Sequence, residues 1–243
     1  MAPLSADEIV QKAVTRAQQV QAAAGQTAYS YTKATLVEQR DSAGKLKERK
    51  EKLYQIFFQG GRTHVKLLAV NGHAPSAADL KTQSDNAASV RQLLGGAKDA
   101  NSANQDNFLT PELAARFDFT LLRTETLNGR NAYEVSFQPK NPEPPQQRLV
   151  DRVLDRLSGT LWIDADEFEV ARAQVQLRSE VELLGGVIGC LKKLAYCVTR
   201  TRVADGVWLN TIAVGDFKGR KLLESLWIKT TSETSNFHTV GSE

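Results

Sequence analysis

A turn-and-strand phrase occurs twice in this chain and constrains its fold more than any other feature. The first copy is Gln59-Gly60-Gly61-Arg62 running into Thr63-His64-Val65-Lys66-Leu67-Leu68 and closing at Asn71-Gly72. The second is Leu127-Asn128-Gly129-Arg130 running into Asn131-Ala132-Tyr133-Glu134-Val135-Ser136-Phe137. Gly-Gly and Asn-Gly supply the positive φ angles that two-residue hairpin turns require. Tyr133, Val135 and Phe137 alternate as a half-buried strand does. Antiparallel hairpins with aromatic inner faces follow, and they point to a wrapped sheet around something apolar, not to a catalytic centre.

The same reasoning extends along the chain. Ser5 to Ala24 predicts an amphipathic helix, with Ser5 and Glu8 as a capping box and Ile9, Ala13, Ala17 and Val20 on its apolar stripe. Strands are predicted over Tyr29–Gln39, Leu46–Phe58 and Arg62–Val70, the first two joined by Asp41-Ser42-Ala43-Gly44. Helices follow over Pro75–Leu94 and from Thr110-Pro111, the latter with threonine as cap and proline at the first position. Lys98 to Asn107 between them is polar and reads as a loop. Phe117–Leu127 and Asn131–Gln138 make the second hairpin, and a proline-dense break runs from Pro139 to Pro145. Gln146 to Leu157 predicts a helix ended by Gly159, with Leu149, Val150, Val153, Leu154 and Leu157 on one side and Arg148, Asp151, Arg152, Asp155 and Arg156 on the other. Further strands are predicted over 160–163, 170–181, 191–203, 207–217 and 222–232, with Asp205-Gly206 and Lys218-Gly219 as turn signals. About ten strands interrupted by three or four helices define an α+β chain with an antiparallel sheet.

Several function classes are disfavoured. A net charge of +3, from 31 basic and 28 acidic residues, is too small an excess to argue for nucleic acid. The dense Lys45–Lys52 cluster is interleaved with Glu48 and Glu51 and reads as a solvated hairpin arm. Cys190 and Cys197 fit no zinc spacing; on one strand they stand too far apart for a disulfide, whereas a turn between them would allow one. No phosphate loop, dinucleotide fingerprint, His-Glu-x-x-His or Gly-x-Ser-x-Gly occurs. Asp164, Asp166, Glu167 and Glu169 form an acidic run, but without the glycine and distal glutamate of a calcium loop it reads as a charged hairpin turn. No catalytic residue, metal or cofactor is expected. The most apolar stretch, Val181 to Val198, is too interrupted by glycine and lysine to span a bilayer.

Taken in order, these phrases carry a family resemblance. The N-terminal helix and the first meander are followed by Gly129-Arg130-Asn131-Ala132-Tyr133, then Gly159-Thr160-Leu161-Trp162-Ile163-Asp164 with Val170-Ala171-Arg172, and last Asp205-Gly206-Val207-Trp208-Leu209. The chain resembles the outer-membrane lipoprotein-sorting proteins, the superfamily of the periplasmic lipoprotein carrier LolA and its receptor LolB, over nearly its whole length. The resemblance implies one domain over residues 1–243, with a helical insertion at about 75–117. Its fold would be a single strongly curved antiparallel sheet forming a half-open barrel covered by helices. It also implies a periplasmic location, with a signal peptide already removed, and a non-enzymatic role sheltering a lipid, an acyl chain or a lipidated protein, with transient contact to a membrane-bound partner. The expected cavity lining is Tyr29, Tyr31, Phe57, Phe119, Tyr133, Trp162, Trp208 and Trp227. A different class of function on the same fold is an interaction or sensory module that binds a partner polypeptide at the barrel mouth.

Overall fold

The computed structural model describes residues 3–22, 28–59, 62–93, 109–146, 148–183, 189–221 and 224–240. Among them are eleven strands and four helices, and every strand belongs to one antiparallel sheet. The helices are α1 (Ala6–Ala22), α2 (Ala77–Leu93), α3 (Pro111–Ala114) and α4 (Leu149–Leu154). The strands are β1 (Ala28–Arg40), β2 (Leu46–Gln59), β3 (Arg62–Val70), β4 (Phe117–Leu127), β5 (Arg130–Pro139), β6 (Leu157–Asp164), β7 (Val170–Leu177), β8 (Val181–Leu183), β9 (Gly189–Ala204), β10 (Val207–Lys221) and β11 (Glu224–Val240). Their order is β3-β2-β1-β11-β10-β9-β7-β6-β5-β4, with β8 also on β9, so the sheet is open between edge strands β3 and β4. The first and last long strands meet in the middle, where β1 pairs with β11 over almost its whole length.

The hairpin chemistry behaves as the sequence predicts. Asn128 and Gly129 take φ of 52° and 80°, Asn71 and Gly72 take 50° and 79°, and Gly206 takes 68°. Asp41 accepts the Ala43 and Lys45 amides on its side chain, and Gly44 closes that turn at φ 88°. Gly60-Gly61 and the 98–107 loop lie outside the described residues. The Ser5–Glu8 capping box forms, with Ser5 N–H donating to Glu8 Oε2 at 2.8 Å and Glu8 N–H to Ser5 Oγ at 3.3 Å. Thr110 accepts the Leu113 amide at 3.2 Å ahead of Pro111.

Five expectations need correction. The helix over 146–157 is only α4, since Asp155 caps it and the chain is already strand at Leu157. Asp151 and Asp155, assigned to the side away from its apolar residues, are buried because the Arg116 guanidinium lies between them at 3.1 and 2.8 Å. Gly159 ends no helix. It lies inside β6, where an added Cβ would stand 1.9 Å from the Gln174 carbonyl oxygen. Lys218-Gly219 likewise makes no turn but lies inside β10, opposite the extra residue Lys192 of β9, with Gly219 against the Cys190 carbonyl. The last strand runs past residue 232 to Val240 because β1 supplies partners for that extra length.

The main core lies on one face of the β4–β9 half. Ile9, Val10, Ala13 and Val14 of α1 are buried against Val135, Leu161, Ile163, Ala173 and Val198. Each large aliphatic there contributes roughly 1.5–3 kcal/mol on burial, enough to hold a four-turn helix that would be marginal alone. Of the helices, α1 shares the buried core of this half of the sheet. In α2, Leu80 remains 49% exposed.

Candidate functional site

The face that α1 covers does not stop where α1 stops. Antiparallel register carries it strand by strand: Val198 faces Ala213, Ala213 faces Ser232, Ser232 faces Thr35, and Thr35 faces Lys52. Side chains opposite one another across a ladder share a face. The Ser232 and Thr35 hydroxyls meet at 3.0 Å, as that register requires. Beyond Ala213 the face continues through Ile228, Thr230, Val37, Tyr31, Tyr54 and Ile56. Ile56 is buried and the other five are half-buried, and burial raises the Tyr54 hydroxyl above the ordinary tyrosine range.

The same register divides the eight aromatics expected to line a cavity. Tyr29 and Tyr31 lie on the uncovered continuation of the α1 face, and Tyr31 approaches Phe237 at 5.8 Å. Phe119 and Tyr133 pack against the α1 core, with Tyr133 stacked near Phe168 at 6.4 Å. Trp208 is level with Arg202 and shares the face of Val198, but its indole N–H is spent on Glu167 at 2.7 Å. Phe57, Trp162 and Trp227 belong to the opposite face. Phe57 stacks on His64, Trp162 donates to Glu125 under the Arg172 guanidinium, and Trp227 donates to Asp216 between Lys218 and Lys229. A period of two puts every second residue on each side, so an aromatic on a strand is not by itself a lining residue.

The acidic run forms the β6–β7 turn, and its carboxylates are taken up by cations and amides. Asp164 receives Arg130 at 2.6 and 2.8 Å and the Asp166 and Glu167 amides at 3.1 and 2.8 Å. Burial alone would push the Asp164 carboxyl up, but Arg130 and the two amides outweigh it and hold it below the usual carboxylate range. Glu167 is held low in the same way, burial being overcome by Trp208 and Arg202. Glu169 bridges Arg16 of α1 at 3.0 Å and Arg200 of β9 at 2.8 Å, and Arg16 also donates to the Gly206 carbonyl at 2.7 Å. This turn clamps α1 to the sheet, an arrangement that sequence reasoning missed. Its signal was four acids placed between arginines distant in sequence, which pair only once the fold exists.

The remaining candidates are weaker. A groove of about 420 Å³ on the solvent side of α1 is lined by Glu8, Gln11, Lys12, Thr15, Arg16, Gln19, Glu167 and Phe168, a mostly polar set. Cys190 and Cys197 both lie on β9 without a turn between them and are free thiols, the first raised above the usual range by burial and by Glu180. Among the described residues no cluster of three or more His, Cys, Asp or Glu is placed to hold a metal, and no helix is long and apolar enough to cross a membrane.

Comparison with known proteins gives low-identity structural similarities alone. No family model and no curated protein matches it. Among solved structures it is similar to a LolA superfamily protein from Nitrosomonas europaea, at 13% identity and a TM-score of 0.39, over 99% of this chain and 96% of that one. It is similar to a DUF1329 family protein from Desulfovibrio piger at 15% identity and a TM-score of 0.41, again over 99% and 96%. An outer membrane lipoprotein-sorting protein domain from Vibrio parahaemolyticus gives 13% identity and a TM-score of 0.39, over 96% of this chain and 95% of that one.

Proposed function

We propose that this protein is a non-enzymatic carrier that shelters an acyl chain, from a lipid or a lipidated protein, against the part of the α1 face that α1 leaves uncovered. The observation that carries this reading is the continuity of one face: apolar and covered by α1 from β4 to β9, then half-buried from β10 to β2 with no cover from α1 among the described residues. Tyr29, Tyr31, Val37, Tyr54, Ile56 and Ile228 form the lining in this reading. Phe119, Tyr133 and Trp208 border it beneath α1, and Phe57, Trp162 and Trp227 take no part. The bulges that interrupt six of the ladders bend strands, as a half-open barrel around the ligand requires.

The energetics suit a carrier. Burial of a dozen methylenes is worth roughly 10 kcal/mol at about 0.8 kcal/mol each, before the cost of association is subtracted. No directional contact is needed, which lets one face take chains of different kinds and release them. Function outside the cytoplasm, possible only after export, belongs to the same reading and comes from the family resemblance. The test is a solvent extract of the purified protein analysed by mass spectrometry. Stoichiometric acyl species support the carrier, whereas a clean extract from protein that captures an extended peptide favours the interaction module instead.

A further inference from the structure

The uncovered face is not uniformly apolar, and its polar part has a definite sign. Lys33 of β1 lies on it, level with Tyr54 on one side and Thr234 on the other. The residue is half-buried, and its side chain forms no hydrogen bond or ion pair with any described residue. Lys52 stands level with Thr35, the next position of β1 on this face, and is therefore a diagonal neighbour of Lys33 at about 7–8 Å. Thr35 and Ser232 share one hydroxyl–hydroxyl bond at 3.0 Å, which leaves the other hydroxyl proton of the pair to donate elsewhere. The acids nearest this patch are few: Glu48 is spent on Lys50 at 2.9 Å, and Asp79, capping α2 on Ser76, feels Lys50 and Lys52 only at longer range.

Lys50 and Glu48 pair on this face, as the cations of the opposite face do with their own partners. There Lys193 is bonded to Asp216, Arg40 to Glu38, and Arg123 to Glu125 and Glu134, while Lys218 and Lys229 flank the Trp227 ring. A lysine that no side chain neutralises, set among partly buried residues, is the arrangement that an incoming anion suits. Tyr31 and Ile56 flank Lys33 towards one end of β1, and Val37 with Ile228 towards the other. The patch therefore has a cationic, hydroxyl-rich centre, with apolar ground towards Tyr31 and Ile56 and the Lys50–Glu48 pair beside Val37 and Gln39 on the other side.

Resting on the carrier reading above, we infer that the bound acyl chain carries an anionic headgroup, which Lys33 and Lys52 receive with the Thr35–Ser232 hydroxyl pair. The ligand is then an anionic amphiphile and not a neutral lipid. The probe is cis-parinaric acid, a fluorescent fatty acid, titrated against its methyl ester at neutral pH. The two share a chain and differ in charge, so the comparison in the unaltered protein needs no variant. The acid should bind about tenfold more tightly than the ester, the discrimination a charge-assisted contact gives. Lys33→Gln and Lys52→Gln should each remove most of that difference, Lys33→Arg should keep it, and Lys193→Gln on the other face should leave it unchanged. Equal binding of acid and ester by the unaltered protein overturns the headgroup assignment and leaves the carrier standing. So does a difference that survives Lys33→Gln. If neither probe binds, the carrier reading fails with it.

Discussion

Gly159→Ala tests the sheet at its least forgiving point. Gly159 sits in β6 level with Phe137 of β5 and Val175 of β7. A methyl there would lie 1.9 Å from the Gln174 carbonyl oxygen and 2.8 Å from the Phe137 ring. The ring can turn away, but the carbonyl belongs to the backbone of a paired strand and stands more than an ångström inside ordinary contact. Relief requires β6 and β7 to part locally. Losing two ladder hydrogen bonds costs about 2 kcal/mol, and strain at the adjoining Leu161 and Ala173 adds about 1–3 kcal/mol. The expected loss is about 3–5 kcal/mol. Gly129→Ala is the control, because its methyl would meet nothing within 4 Å and only its φ of 80° opposes substitution, at about 1–2 kcal/mol. Urea denaturation followed by far-ultraviolet circular dichroism reads both from the midpoint, provided the slope is unchanged. If Gly159→Ala costs no more than Gly129→Ala, the β6–β7 approach described here is mistaken.

Other consequences follow from the same geometry. Ile9→Ala, at a fully buried position of α1, should cost about 2–4 kcal/mol, while Leu80→Ala on the exposed side of α2 should stay within about 0.5 kcal/mol in the same titration. The Asp164 and Glu167 carboxyls are held below their ordinary range in the folded state, so their contribution is present in full above about pH 4.5 and is lost as pH falls through the lowered values. Thermal melting across pH 2–7 should show that acid loss, and it should shrink in Asp164→Asn but not in Asp166→Asn, whose side chain is 75% exposed. Trp162→Phe removes the bond to Glu125 on the far face and should leave fatty-acid affinity unchanged in a fluorescence titration, because that ring does not border the proposed lining.

Much of the fold is legible in the residues because turn chemistry is local. Asn128-Gly129 and Asp205-Gly206 mark their hairpins, and strands such as Arg62–Val70 and Phe117–Leu127 run between the residues the pattern predicts. Gly159 and Gly219 mislead for the opposite reason. Both are required by a close approach of a neighbouring strand, which no local signal reveals. The short α4 has the same origin, since Arg116 is more than thirty residues away from the aspartates it buries. The candidate site was visible as a set of strand aromatics, but their division between two faces depends on pairing register and on bulges such as those around Ser30 and Asn210. Lys33 gave no sequence signal at all. Its interest lies in what surrounds it across three strands.

The claim that the ligand occupies the α1 face between β10 and β2 can be tested at two adjacent residues. Ser232 lies on that face and Thr231 on the other, as their partners Ala213 and Val214 in β10 show. In a background where Cys190 and Cys197 are replaced by serine, Ser232→Cys and Thr231→Cys are each labelled with an environment-sensitive fluorophore and titrated with oleate. The account predicts a saturable blue shift from the label at 232 and none from the label at 231. A shift at 231 alone, or equal shifts at both positions, would place the ligand elsewhere and contradict it.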